Sequence, residues 1–188
     1  MPKPKISPMF TPEGASYTDM PKQKQHPKKP KPPKASRPHM PGYGISGAKG
    51  GDGLLRWSWA VDRLSNTQNY FLSTVRIDGR PHVMPIWGVW VGGGLYFSTG
   101  KSSVKARNLA KNASCVLCAG GADEAVILEG TVEKVTRGTI LKKFGAAYIA
   151  KYNFDVSTMN EPVYVIHPRV VFGQIEKTFT KTATRWTF

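Results

Sequence analysis

The chain has 188 residues, of which 40% are hydrophobic and 11% aromatic, and its formal net charge is +15. This composition is enough for one sizeable core and one folded domain. No run approaches the roughly 18 apolar residues that a membrane-spanning helix needs, and no apolar segment follows the early lysines as it would in a secretory signal. We therefore expect a cytoplasmic protein with no membrane span.

The N-terminal part differs in composition from the rest. The first 50 residues hold 11 of the 15 prolines, and nine lysines and one arginine there face only Glu13 and Asp19. A segment so rich in proline and lysine cannot bury enough apolar surface to fold. We predict a disordered Pro/Lys-rich arm over residues 1–37 and a folded domain over residues 38–188. Such arms are more often simply solvated than bound to nucleic acid, so nucleic acid is not the expected partner.

The first predicted element is a helix over residues 54–68, where Trp57, Val61 and Leu64 fall at helical spacing. Two strands follow, joined by a turn at the Asp-Gly pair of IDGR. The second of them is predicted to run unbroken through PHVMPIWGVWV. A third strand, LYFS, follows three glycines that accept positive φ freely.

The stretch YFSTGKSSVKARNLAKN predicts a strand exit and then a short helix capped by Ser102 or Ser103. Two strands come next, ASCVLCA and AVILEGTVEKV, and then a helix in RGTILKKFGAAYIAKYN. PVYVIHP and RVVFGQI are predicted as two further strands, joined at His167-Pro168. About seven antiparallel strands with a few helices outside them predict a mainly β fold, a small barrel with flanking helices.

The sequence contains few candidates for chemistry of its own. Cys115 and Cys118 lie three apart in a predicted strand, so they should point to opposite faces and form neither a redox pair nor a metal site. The four histidines are scattered, and we expect no metal. GKSS lacks the earlier glycine of a P-loop, since Leu95 stands at that position. If the protein is an enzyme, a bound cofactor must supply the chemistry, and no catalytic side chain is predicted.

The clearest electrostatic signal is a stretch without acids. Residues 79–122 contain no Asp or Glu, although Arg80, Lys101, Lys105, Arg107 and Lys111 all lie there. Hydroxyls, helix amides and cations in one place suit a phosphate. The alternative is a solvated basic helix face.

The segment GRPHVMPIWGVWVGGGLYFSTGKSSVKARNLAKNASCVL resembles the cofactor-binding half of the pyridoxamine 5'-phosphate oxidase-like split barrels, which bind flavins and deazaflavins. Within this family it is similar to the branch that depends on the deazaflavin coenzyme F420. The resemblance extends from about Pro38 to Phe188, including MPGYGI and the closing TRWTF. It implies an antiparallel split β-barrel. Val104 stands where the founding oxidases have an arginine, which argues against identity with the vitamin B6 oxidase.

The resemblance also implies which residues hold the cofactor. Val83, Met84 and Pro85 would line the ring with backbone, and Trp87 would lie near it. Further residues would hold the phosphate end, namely Ser98, Thr99, Ser103, Lys105 and Arg107. The family is commonly dimeric, with the C-terminal segment over the cofactor. Arg185 and Trp186 would then form part of the acceptor pocket across a homodimer interface; alternatively, the C-terminal aromatics only plug the barrel.

The function implied is an oxidoreductase that passes hydride from reduced F420 to an electron-poor small molecule. Two alternatives remain: an FMN-dependent oxidoreductase of the same fold, and a non-catalytic flavin- or deazaflavin-binding protein. The long stretch without acids favours F420 over FMN, because its phosphodiester and oligoglutamate tail carry more negative charge.

Overall fold

The computed structural model describes residues 32–45 and 52–188, so most of the predicted arm lies outside the described residues. Within them the chain forms four helices and nine strands. The helices are α1 (Trp57–Asn66), α2 (Val104–Lys111), α3 (Gly138–Tyr152) and α4 (Phe179–Thr182). The strands are β1 (Lys34–Ser36), β2 (Tyr70–Val75), β3 (Pro81–Ile86), β4 (Val89–Val91), β5 (Gly94–Ser98), β6 (Ser114–Gly120), β7 (Glu124–Lys134), β8 (Val163–Ile175) and β9 (Thr184–Thr187).

All strand pairs in the described chain are antiparallel. The sheet runs in the order β1-β9-β8-β7-β6-β2-β3, while β5 pairs with both β4 and β8. Because β3 and β4 do not pair, the sheet is not closed. This confirms the predicted mainly β, antiparallel fold with flanking helices.

The long strand β8 organises the sheet. Its first residues pair with β5 and its later ones with β9, while β7 runs along the whole length. The prediction of two strands joined at His167-Pro168 is wrong, because the strand continues through Pro168. The register between β7 and β8 shifts at Glu129/Gly130, and Arg169, beside Pro168, is the extra residue of a bulge in β8, where a missing N–H is tolerated. Gly130 is needed there, since a Cβ would lie 2.4 Å from the carbonyl oxygen of His167.

The predicted strand PHVMPIWGVWV is instead two strands, β3 and β4, separated at Trp87 and Gly88. Gly88 is buried, and a Cβ there would lie 3.1 Å from both the side chain of Leu95 and the carbonyl oxygen of Tyr96. Side chains of α3, rather than a neighbouring strand, form hydrogen bonds with the backbone amide and carbonyl oxygen of Gly88. The chain therefore bends here.

The hydrophobic core is formed by strand residues that alternate between buried and exposed positions. On β6, for example, Cys115, Leu117 and Ala119 point inward while their neighbours are partly or fully exposed. Leu64 of α1 and Trp186 of β9 join the same cluster. A second, smaller cluster lies beneath α3, where Phe144 and Tyr148 pack on Val89. The helix α3 therefore covers β4, beside the gap in the sheet.

Residues at both ends of the described chain add two strands that the sequence did not predict. Lys34–Ser36, part of the segment predicted as an arm, pairs with β9, and β9 pairs in turn with β8. Arg37 is buried and donates hydrogen bonds to the carbonyl oxygens of Ala183 (3.1 Å) and Asp52. These contacts order a short stretch of otherwise polar chain next to the C-terminal segment.

Among residues 32–45 and 52–188, no helix is long and apolar enough to cross a membrane.

Candidate functional site

A cavity of about 450 Å³ lies where β3 and β5 end, beneath the last turn of α3. We call it the cradle. Its lining includes five residues predicted to bind a cofactor: Pro85, Trp87, Ser98, Thr99 and Lys105. The remaining lining comprises Asn69, Ile86, Tyr148, Phe154 and Met159. One end of the cradle is thus rich in hydroxyls and a cation, and the other is aromatic and apolar.

The hydroxyl groups at the polar end are already partly ordered. Of the two serines predicted to cap α2, Ser103 is the N-cap, and its Oγ accepts a hydrogen bond from the amide of Ala106 at 3.2 Å. The hydroxyl oxygens of Ser103 and Thr99 lie 3.3 Å apart. Because each hydroxyl has one proton, a Ser103 hydroxyl that donates to Thr99 leaves the Thr99 proton free for an anion. Ser98 instead donates to the carbonyl oxygen of Pro162 at 3.1 Å.

Lys105 supplies the positive charge. It lies in the first turn of α2, and partial burial lowers the pKa of its ammonium group. No carboxylate of the described residues lies within salt-bridge distance of it. A partly desolvated cation without an anionic partner beside free helix amides is the arrangement that an anionic ligand stabilises.

Arg107 does not join Lys105. Its Nη1 donates to the carbonyl oxygen of Ser102 at 2.9 Å, and its side chain is exposed. It lines a separate cavity of about 430 Å³ between α2 and the β2–β3 turn, together with Arg76 and Lys111. The structure therefore places Arg107 in a neighbouring basic pocket rather than in the cradle.

The apolar end is formed by Trp87 and aromatic residues of α3. The indole of Trp87 stacks on Tyr152, and its Nε1 donates to Oδ1 of Asn69 at 3.1 Å. Trp87 is still 45% exposed, so part of its ring is open to solvent. Val83 and Met84 precede it on β3 and are exposed but do not line the cradle. In the described chain β3 pairs with β2 alone, so the other edge of its backbone is available to a ligand.

Arg185 and Trp186 lie on β9, and neither lines the cradle. Trp186 is 1% exposed and packs in the main core against Trp57, with ring centroids 5.4 Å apart. Gly173 leaves room for its ring, since a Cβ there would lie 2.7 Å from the indole. A side chain held in the core of its own chain does not face an acceptor pocket. Its burial corresponds to the alternative in which the C-terminal aromatics fill the barrel.

The two cysteines lie on opposite faces of β6, as predicted. Both thiols are free; Cys115 is buried and Cys118 partly exposed. Burial raises the pKa of Cys115 to about 12, so it remains a thiol at neutral pH. Among the described residues, no group of three or more His, Cys, Asp or Glu side chains could hold a metal ion.

The chain resembles known proteins in sequence and in fold. Residues 60–175, more than half of the chain, match the family model described as pyridoxamine 5'-phosphate oxidase. The chain belongs to the pyridoxamine 5'-phosphate oxidase family. This membership confirms the predicted split-barrel class, and members of the family bind flavin-type cofactors. No curated protein sequence matches the chain significantly.

Three solved structures illustrate how distant the similarity is. A conserved hypothetical protein of Mycobacterium tuberculosis is 22% identical with a TM-score of 0.58, over 65% of this chain and 86% of that one. A heme-binding protein of Mycobacterium smegmatis is 18% identical with a TM-score of 0.52, over 68% and 62%. An F420 reductase is 24% identical over 58% and 93%, but its TM-score of 0.48 is too low to support a functional statement. The two mycobacterial structures share the fold with this chain.

Several cradle residues were not predicted from the sequence. Asn69, Phe154 and Met159 lie outside helices and strands or in a short 3-10 turn, and no spacing rule singles them out. Tyr148 lies on the same buried side of α3 as Phe144, but periodicity alone could not show that this side borders a cavity. They meet only because α3 folds back over the gap between β3 and β4.

Proposed function

We propose that the chain is an oxidoreductase that binds coenzyme F420 in the cradle and uses its reduced form to reduce an electron-poor small molecule. The observation that carries the proposal is the cradle itself: at one end lie an available hydroxyl and Lys105, which has no carboxylate partner among the described residues, and at the other lies the partly exposed ring of Trp87. Family membership supports a flavin-type cofactor. When bound, such a cofactor would supply the hydride chemistry.

The residues of the chain have distinct roles in this proposal. Lys105, the Thr99 hydroxyl and the first amides of α2 would hold the phosphate group. Trp87, Tyr148 and the open edge of β3 would orient the ring and exclude water from one of its faces. Ser103 would act indirectly, by holding both Thr99 and the start of α2 in place.

FMN is the alternative cofactor, because its phosphate needs the same groups. F420 is favoured by positive charge beyond the cradle, where Arg76, Arg107 and Lys111 line the neighbouring cavity. A cofactor with a longer anionic tail would gain more binding free energy from these cations than FMN would.

The same chain could also bind the cofactor without turnover. Assays of the bound cofactor with quinones and nitroaromatic acceptors separate catalysis from binding alone. We place this function in the cytoplasm.

The test begins with affinity. Purified full-length chain is titrated with F420 and with FMN while cofactor fluorescence is recorded, and tighter binding of F420 is expected. Lys105→Met should weaken binding by about 1.5–3 kcal/mol, the usual value of a charge-assisted hydrogen bond. Lys142→Met is the control, since Lys142 is exposed on α3 and lines neither the cradle nor the neighbouring cavity. Binding of neither cofactor would overturn the proposal, and unchanged affinity in folded Lys105→Met would remove Lys105 from the site.

We also propose that the active form is a homodimer. Apolar side chains at least 40% exposed lie on and beside the paired strands β2 and β3, namely Phe71, Val75, Ile77, Val83 and Met84. By register Phe71, Val75 and Val83 lie on one face of this strand pair, and an exposed apolar patch of this kind is typical of a protein–protein interface. Sedimentation equilibrium should give twice the chain mass, and Phe71→Asp should shift it towards monomer. A parent chain that stays monomeric at all concentrations would contradict this part of the proposal.

A further inference from the structure

Lys151, in the last turn of α3, is a half-buried cation with an unusual set of partners. Its Nζ donates to the hydroxyl oxygen of Tyr70 at 2.7 Å and to the carbonyl oxygen of Gly88 at 3.0 Å. It also lies 4.8 Å from the centroid of the Tyr70 ring and 5.3 Å from that of Tyr152. Within residues 32–45 and 52–188, no carboxylate is within salt-bridge distance of it. The charge is therefore held by neutral acceptors and aromatic faces alone.

These contacts converge on Gly88, the residue at which β3 and β4 separate. The Gly88 amide donates to the hydroxyl oxygen of Tyr152 at 2.9 Å. The Tyr152 hydroxyl can in turn donate to the carbonyl oxygen of Gly88 or of Gln68, each at 2.8 Å. Because a hydroxyl has one proton, it cannot satisfy both carbonyls at once. Lys151 supplies the further donor to Gly88, and together the two side chains replace the strand neighbour that this peptide lacks.

The residue next to Gly88 is Trp87, which lines the cradle. Its position depends on the same elements. The ring stacks on Tyr152, and the backbone that follows is fixed by Lys151. Tyr70, which also accepts from Lys151, donates to the carbonyl oxygen of Leu64 at 2.5 Å and is fully buried in the core. The core, α3 and the rim of the cradle are thus joined through one ammonium group.

We propose that Lys151 is a positioning residue that fixes Gly88 and Trp87 at the rim of the cradle. Its effect on cofactor binding rests on the function proposed above, whereas its effect on Trp87 does not. Lys151 does not line the cradle, so it acts through the backbone of Gly88 and through the Trp87 ring. A neutral amine donates more weakly than an ammonium group and is not attracted to the Tyr70 and Tyr152 rings. Loss of the charge should therefore loosen Trp87.

The surroundings of Lys151 bring its loss of charge into a pH range that can be measured. Burial lowers the pKa of Lys151 to about 8. The titratable groups that face it are Tyr70 from β2 and Tyr152 from α3, against which Tyr148 packs at a tilt. The link between β3 and β4 presents the carbonyl group of Gly88. Burial raises the pKa of all three phenols, that of Tyr148 to about 12. These phenols stay neutral while Lys151 titrates.

The test uses the cofactor-free, full-length chain labelled with ¹⁵N. The indole N–H resonance of Trp87, assigned by Trp87→Phe, is followed across the pH range that brackets this pKa. A sigmoidal shift with a midpoint near 8 is expected for the parent. Arginine stays charged across this pH range. In Lys151→Arg the Trp87 resonance should therefore keep its low-pH position and show no transition. Lys151→Met should displace the resonance at every pH, and the exposed Lys142→Met on the same helix should behave as the parent.

A Trp87 resonance that is independent of pH and unchanged in Lys151→Met would overturn the inference. If circular dichroism shows that Lys151→Met does not fold, Lys151→Arg provides the test. A pH transition of the Trp87 resonance that persists in Lys151→Arg would also overturn the inference. Titration with F420 and FMN then tests the link to the cradle. Lys151→Met should bind about tenfold more weakly, the effect of losing one hydrogen bond to a charged group, while Lys151→Arg should be close to the parent. A parent that binds neither cofactor refutes the proposed function, but the Trp87 titration still decides the positioning role.

Discussion

The indole of Trp87 lies parallel to the ring of Tyr152, with centroids 4.7 Å apart and planes inclined by only 5°. This stack joins the rim of the cradle to the last turn of α3. The Tyr152 hydroxyl adds hydrogen bonds to the backbone of Gly88, so one side chain fixes both the ring and the peptide that follows it. The geometry of the cradle therefore depends on α3 as much as on the strands.

Tyr152→Phe separates these two contributions. The variant keeps the aromatic stack but leaves the Gly88 amide without its acceptor, so we expect a loss of about 1–3 kcal/mol in the free energy of unfolding. Urea unfolding followed by circular dichroism measures it. Tyr164→Phe is the matched control, because its hydroxyl makes no hydrogen bond with the described residues and its ring still stacks on Phe97. Equal losses in the two variants would contradict the role assigned to the Tyr152 hydroxyl.

Ser103→Ala tests the order of the polar end. The variant removes the N-cap of α2 and the contact with Thr99, and we expect it to cost about 0.5–2 kcal/mol of stability. Cofactor affinity should fall as well, because the first turn of α2 and the Thr99 hydroxyl lose their support. Ser102→Ala is the control, since Ser102 is exposed and only its backbone carbonyl makes a contact, with Arg107. A variant as stable as Ser102→Ala would refute the capping role.

The sequence predicted the parts of the fold that rest on local patterns. The Asp-Gly hairpin, the glycine-rich hairpin and the Ser103 cap are all encoded in a few neighbouring residues, and all three are present. The prediction of strand ends failed where residues distant in sequence determine them. Lys151 and Tyr152 take up the polar groups of Gly88 and end β3, and Gly130 lets β8 continue through Pro168.

In the candidate site, too, local patterns were predicted and contacts between distant residues were not. The strand exit and helix start at Ser98, Thr99 and Lys105 were placed together by spacing and resemblance, and they share a cavity. The resemblance put Arg107 beside Lys105, yet Arg107 lines a different cavity. The two residues are two positions apart, about 200° around the helix axis, so helical periodicity already turns them to different sides. The aromatic residues from α3 and the following turn could be found only from the packing.

Trp186→Ala tests whether the C-terminal strand belongs to the core. Trp186 is 1% exposed and packs between Gly173 and Trp57, so its removal leaves a large cavity. We expect a loss of about 3–5 kcal/mol in the free energy of unfolding, measured by urea denaturation. Phe188→Ala is the control, because Phe188 is 53% exposed and should cost much less. A stable Trp186→Ala chain with lowered turnover would instead favour a direct role in the acceptor pocket.

The last prediction concerns the dependence of stability on pH. Burial holds the pKa of Lys151 at about 8, below its ordinary value of 10.5. Between these values the unfolded chain keeps a proton on Lys151 that the folded chain has lost, so this residue makes the free energy of unfolding rise as pH increases from 8 towards 10.5. Below pH 8 its buried charge opposes folding in full.

Lys151→Met removes this contribution. The stability of the variant relative to the parent should therefore be highest below pH 8 and should decline as pH rises above it. Urea unfolding of both proteins at matched pH values measures the difference, in which the contributions of other lysines and of the tyrosines cancel to first order. Lys142→Met, exposed on the same helix, controls for the loss of one lysine side chain from α3. A flat difference for Lys151→Met would mean that the ammonium group is as well solvated in the folded chain as in the unfolded one. The decline would show instead that the fold retains this cation at a cost in stability, in keeping with a role in holding Gly88 and Trp87.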